Sequence, residues 1–117
     1  MDNSRVIEGK CGDNAFYSLT PDGLLRVYGK GRVDCIVTAD ENYEIDEYSV
    51  WRDAEYEVKE VVIEEGITSL DMAAFAHLES LEKVQLPESL HIIGEFCFAG
   101  CTNLVQMNRP KNCLVHN

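Results

Sequence analysis

The chain has 117 residues, 45% of them apolar, and a net charge of −11. That length suits one domain, and no apolar run approaches the roughly 20 residues a membrane-crossing helix needs. The strong negative charge argues against direct nucleic-acid binding, which needs a basic footprint. Five cysteines are an odd number and form no Cys-x-x-Cys pair, so five reduced thiols are expected in place of a disulfide framework.

Taken in chain order, residues 1–10 (MDNSRVIEGK) hold no apolar signal core. Met1 followed by Asp-Asn-Ser reads as a native start, which predicts a complete cytoplasmic protein; a fragment of a longer protein would place it extracellularly or at the cell surface. The N-terminal third reads as β. Ala15–Leu19 and Leu24–Tyr28 are rich in strand formers and flank Thr20-Pro-Asp-Gly23, whose proline and glycine favour a tight turn. A hairpin is predicted, with Phe16 and Tyr17 as packing groups. Gly29 and Gly31 break its second strand, and Val33–Thr38 is a third strand candidate.

The excess charge is concentrated in one window. Residues 40–65 hold eleven acids against Arg52 and Lys59, whereas residues 1–39 hold five of each sign. Tyr43, Tyr48, Trp51 and Tyr56 are interleaved with the acids. Aromatic rings supply contact area and carboxylates steer a basic partner. The partner-binding candidates are Tyr43, Glu44, Asp46, Glu47, Tyr48, Trp51, Asp53, Glu55 and Glu57. The competing reading of this window is structural: Ile45, Trp51, Tyr56 and Val58 pack inward and the acids form a solvated face.

From Val58 onward the sequence repeats with a period of 23. Laying Val58–Ser80 over Leu81–Asn103 superposes Val58/Leu81, Val61/Val84, Ile63/Leu86, Ile67/Leu90, Leu70/Ile93 and Phe75/Phe98. Glu65/Glu88 and Ala76/Ala99 are identical. A partial third copy begins at Leu104, with Met107 and Cys113 in apolar slots and Arg109 in the Ile63/Leu86 slot. Val84 and Leu86 lie two apart and predict a short strand, ended by Pro87. Leu90–Ile93 predicts a helical turn or coil. Asp71–Leu78 predicts a short helix with Asp71 as its cap. Gly94 marks a corner. Cys97 and Cys101 replace Ala74 and Leu78, which predicts small buried fillers. A fixed period with L-x-x-V-x-L indicates a leucine-rich solenoid, whose units stack to share one core.

Gly66-Ile-Thr-Ser-Leu, Leu81-Glu-Lys-Val-Gln-Leu-Pro-Glu-Ser-Leu, Ile93-Gly and Phe96-Cys-Phe-Ala-Gly-Cys-Thr-Asn-Leu104 resemble the BspA-type leucine-rich repeats. Cys11-Gly-Asp-Asn, Tyr17-Ser-Leu, Asp22-Gly-Leu-Leu, Tyr28-Gly-Lys-Gly and Trp51 resemble the leader that precedes these repeats in bacterial members. The resemblance implies protein binding or adhesion, since members are often surface proteins of host-associated bacteria and protists.

The expected architecture is thus a single β-rich α+β domain, residues 1–117. A β-rich leader (11–57) contains the hairpin that caps the solenoid, and about two and a half repeats follow (58–80, 81–103 and 104–117). The expected function is a non-catalytic module that binds a basic protein. The alternatives are a small acidic phage or mobile-element inhibitor that occludes a nucleic-acid cleft, as inhibitors of CRISPR nucleases do, and a fragment of a bacterial adhesin. His77, His91 and His116 fall outside any catalytic pattern, and the acids at 40–45 lack the glycine of a calcium loop. No catalytic residue, metal ligand or cofactor is therefore predicted. The charge in the Arg109 slot predicts an exposed Arg109 and a monomer or weak homodimer. Phe98→Ala is expected to cost about 3–5 kcal/mol.

Overall fold

The structure, a computed structural model, describes residues 5–34, 56–72 and 74–115. These residues form ten short strands: β1 Ile7–Lys10, β2 Ala15–Leu19, β3 Leu24–Gly29, β4 Gly31–Val33, β5 Glu60–Ile63, β6 Ile67–Leu70, β7 Lys83–Gln85, β8 Ile92–Ile93, β9 Gln106–Met107 and β10 Leu114–Val115. Six strands form one sheet in the order β1-β2-β3-β5-β7-β9, and four form a second in the order β10-β8-β6-β4. The predicted hairpin is present: β2 and β3 pair antiparallel, with Leu19 opposite Leu25. Thr20 supports the turn, because its hydroxyl accepts from the Leu24 amide at 3.2 Å, and Gly23 takes the positive φ of 95° that the turn demands.

Beyond the hairpin the sheets are parallel, and their register displays the repeat. Glu60 pairs with Lys83 and Lys83 with Gln106, each a step of 23 residues. Ser69 pairs with Ile92 at the same step. The preceding step is longer: Leu24 pairs with Glu60, 36 residues apart, and Gly31 with Ile67, also 36 apart. The connection that contains most of the acidic window is therefore 13 residues longer than a repeat requires.

The core lies between the two sheets. Val58, Val61, Ile63, Ile67, Leu70 and Phe75 are buried, and so are their matched residues Leu81, Val84, Leu86, Leu90 and Ile93. Phe98 is only partly buried against the same core. The Phe75 and Phe98 rings stack at 5.5 Å and 9°. Alternation explains the selection: in β5, Val61 and Ile63 point inward while Glu60 and Val62 point outward.

Four local expectations are corrected. Asp71–Leu78 is not helical at its described residues. Phe75 and His77 donate their amides to Cys97 and Ala99 of the next coil, at 2.9 and 2.6 Å, so these N–H groups are unavailable to a helix. His77 has a φ of 63°, which ends any helical run. The Asp71 carboxylate accepts from Arg32 at 2.9 Å. The fold of the described residues is accordingly β-rich without helix, and the α component of the expected class is absent among them. Where a helical turn or coil was expected at Leu90–Ile93, Leu90 and His91 are coil and Ile92–Ile93 form β8, and β6 occupies the same place one coil earlier. Of the third strand expected at Val33–Thr38, residues 35–38 lie outside the described set; the described chain there forms β4, Gly31–Val33. Ile7–Lys10, given no structure by its sequence, adds β1 to the sheet through pairing with β2. Phe16 points outward and is exposed, because β2 buries its alternate neighbours Ala15 and Leu19.

Side chains tie successive coils together where strands end. The Glu65 carboxylate accepts from the amides of Glu88 and Ser89 at 2.8 and 3.2 Å. Asn108 both accepts from the Leu86 amide (2.7 Å) and donates to the Leu86 carbonyl (2.9 Å), completing a ladder rung with a side chain. Ser89 bridges Gly66 and Ile67 in the same way.

Four described cysteines carry no disulfide. Burial pushes the Cys11 and Cys97 thiols up to about 12. A thiol whose folded value exceeds its unfolded value near 9 favours folding below pH 9, and that contribution is lost as pH rises toward 12. Urea midpoints are therefore expected to fall between about pH 9 and about pH 10.5. Cys97→Ala, which copies Ala74 at the matching slot, should flatten that fall; an unchanged slope would contradict the burial of this thiol.

Candidate protein-binding surface

The described chain presents its outward side chains in rows across the six-stranded sheet. Pairing aligns Glu8, Ser18, Arg26, Val62 and Gln85 in one row, and Leu24, Glu60, Lys83 and Gln106 in the next. Phe16 and Tyr28 lie opposite each other on β2 and β3, their rings 6.0 Å apart and tilted by 32°. Each row follows from the two-residue alternation of a strand: the inward partners Leu19, Leu25, Val61 and Val84 fill the core. The result is a face of mixed charge with one aromatic pair.

Its charges are partly engaged. Arg26 donates to Glu64 through Nε at 2.8 Å and forms an ion pair with the same carboxylate. Both side chains are well exposed, so solvent and salt leave this pair little stabilising value. Where β5 and β7 end, a groove of about 460 Å³ lies among Val62, Glu64, Glu65, Gln85, Pro87 and Glu88. Of its carboxylates, Glu65 is bound to the next coil and Glu64 to Arg26.

Of the predicted binding residues, Tyr43, Glu44, Asp46, Glu47, Tyr48, Trp51, Asp53 and Glu55 lie outside the described residues. Glu57 is described and exposed. Tyr56 is partly buried, and its hydroxyl donates to the Arg5 carbonyl at 2.6 Å, while Val58 is buried. These two residues are packing groups, as the structural reading of the window expects. Lys59, Lys83 and Gln85 are exposed, and Val62 is half-buried on the outward face. Arg109 is exposed, as its slot predicted. Sequence reasoning missed the outward pair Phe16/Tyr28 and the clamping role of Glu65. Among the described residues, no group of three His, Cys, Asp or Glu side chains is placed to hold a metal ion. No helix of the described chain is long and apolar enough to cross a membrane.

A family pattern described as "BspA type Leucine rich repeat region (6 copies)" matches residues 37–116, well over half of the chain. The chain belongs to the BspA-type leucine-rich repeat family. A crystal structure of a leucine-rich repeat protein from Eubacterium ventriosum is similar in fold, with a TM-score of 0.75 and 23% identity. That likeness covers 95% of this chain and 28% of the other, so this BspA-type chain spans under a third of the protein it matches. No curated protein matches the chain. Family and fold together indicate a protein-interaction module in general terms, built on an architecture that is typically non-catalytic.

Proposed function

We propose that this BspA-type repeat chain is a non-catalytic module that binds a basic protein partner through the acidic, aromatic-bearing window between β4 and β5. One observation carries the proposal: the step from β3 to β5 is 13 residues longer than the 23-residue step between later strands, and the extra length coincides with the charge. The connection between β4 and β5 includes Tyr43, Glu44, Asp46, Glu47, Tyr48, Trp51, Asp53 and Glu55, and Glu57 is exposed where the chain rejoins the sheet. In this reading the repeats supply the scaffold, and the hairpin covers the N-terminal end of the stack and holds the window in place. The chain acts as a monomer or a weak homodimer. A further reading, an acidic inhibitor of a nucleic-acid enzyme, rests on size and charge alone.

Two substitutions separate binding from packing. Partners are captured from lysate at low and high salt with the wild-type chain, Tyr48→Ala and Trp51→Ala. Tyr48→Ala is expected to keep the fold and to speed dissociation of a basic partner about tenfold or more, as loss of an aromatic anchor does. Trp51→Ala should lose the partner while keeping its urea midpoint. Unfolding of Trp51→Ala would show that the window packs inward, and the proposal would fail.

A further inference from the structure

The four-stranded sheet carries a groove beside the root of the acidic connection. Pairing aligns Arg32 of β4, Ser69 of β6 and Ile92 of β8 in one row. These three, with Asp71, Met72 and Glu95, line a groove of about 400 Å³. Met72 is 40% exposed and Ile92 42%, so two adjoining coils turn an apolar side chain to solvent at one place. The floor between them is fixed backbone. The Gly94 amide donates to the Leu70 carbonyl at 2.9 Å, and a Cβ on Gly94 would lie 2.7 Å from the Met72 nitrogen. The groove is therefore already formed, and the methionine at its wall can adapt to an occupant.

Charge selects the occupant. Arg32 is the cation that lines the groove, and Asp71 already holds it at 2.9 Å. Glu95 is exposed and forms no ion pair among the described residues. Asp13 and Asp34 also act on Arg32, and Lys30 shares the adjoining polar hollow with all three. Four acids (Asp13, Asp34, Asp71 and Glu95) thus stand against two cations (Lys30 and Arg32). An acidic segment would meet this excess and find the nearest guanidinium taken. A basic segment finds Glu95 open. Asp34 directly follows β4, where the chain leaves for the acidic window. Resting on the basic partner inferred above, we propose that this groove is where that partner is anchored: one of its aliphatic side chains lies between Met72 and Ile92, and a neighbouring lysine or arginine meets Glu95. The window then steers the encounter, and the groove supplies the buried apolar contact that carries most of the affinity.

The probes are the fluorescently labelled peptide Lys-Arg-Thr-Leu-Thr-Arg-Lys and the same peptide with serine in place of leucine, each titrated with the whole chain. Their charges are equal, so the acidic window attracts both alike and the leucine isolates the groove. Anisotropy is expected to show the leucine peptide bound about fivefold or more tighter. Met72→Ser combined with Ile92→Ser should abolish that preference, and Glu95→Lys should weaken both peptides about threefold or more. Glu44→Lys, Asp46→Lys and Glu47→Lys combined should weaken both peptides but keep the preference. All the groove positions changed are exposed, and circular dichroism checks the fold; should the double serine chain unfold, Glu95→Lys and the triple reversal decide. Equal binding of the two peptides by the wild-type chain overturns the proposal. So does a preference that survives the two serines, binding indifferent to Glu95→Lys, or a preference lost on the triple reversal, which would put the leucine at the window. Self-association of the chain that closes the groove overturns it as well. An absent preference with both peptides still weakened by the triple reversal removes the groove and leaves the acidic window standing. A preference that holds while the triple reversal changes nothing keeps the groove and removes the window.

Discussion

Phe75→Ala will destabilise the chain by about 3–5 kcal/mol, the range for removing a fully buried aromatic side chain. Phe75 has no exposed surface and lies against Phe98 on one side and the buried aliphatic core on the others. Its backbone also bridges coils: the amide donates to Cys97, and the carbonyl accepts from the Cys101 thiol at 3.1 Å. The surroundings are therefore held on both sides and cannot collapse into the cavity. The matched substitution Phe98→Ala should cost less than its sequence slot suggested, about 2 kcal/mol, because the Phe98 ring is only partly covered. Urea melts of both variants check the order. Equal losses would contradict the difference in burial between the two rings, and a Phe75→Ala loss below about 1 kcal/mol would mean that they are not stacked in one core.

Gly66→Ala is the second large effect, expected at about 3 kcal/mol or more. Two causes combine. Gly66 has a φ of 112°, which side chains rarely adopt. A Cβ there would also sit 2.3 Å from the Gly29 carbonyl oxygen of the preceding coil, which is backbone and cannot swing aside. Gly31 separates the causes: its φ is 86°, but a Cβ would meet nothing within 4 Å. Gly31→Ala should therefore cost only the backbone term, about 1–2 kcal/mol. Equal urea midpoints for the two variants would show that close packing between the coils at Gly66 and Gly29 contributes nothing.

The strands facing the repeat's apolar slots were legible because side-chain alternation and a fixed period act together. Val61/Val84 and Ile63/Leu86 could only be buried if the 23-residue register held, and it does. The hairpin was legible because Thr20-Pro-Asp-Gly23 has a local mechanism. The helix expected at Asp71–Leu78 failed for the opposite reason. Its alanines favour a helix locally, but its amides are claimed by Cys97 and Ala99 of the next coil, and no local propensity encodes that. β6 and β8 were hidden because two to four residues are too few to show a period. The outward rows that join Phe16, Tyr28, Arg26 and Gln85 depend on which strands pair, which only the topology reveals. The acidic window was legible as charge. Its relation to the scaffold was not, because the 13 extra residues emerge only when the pairing of β3 with β5 is compared with that of β5 with β7.

The most direct measurement of the central claim is the association rate of the captured partner with the wild-type chain and with Glu44→Lys, Asp46→Lys and Glu47→Lys combined, across a salt series. Charges at a binding rim steer encounter and are screened by salt, with a Debye length of about 10 Å at 0.1 M. The wild-type rate should fall steeply with salt. The triple reversal should lower the rate at low salt by about tenfold or more, remove most of its salt dependence and leave the urea midpoint unchanged. A partner that associates equally fast with both chains at every salt concentration would contradict the acidic-window account and move the search to the outward strand face around Lys59, Val62, Lys83 and Gln85.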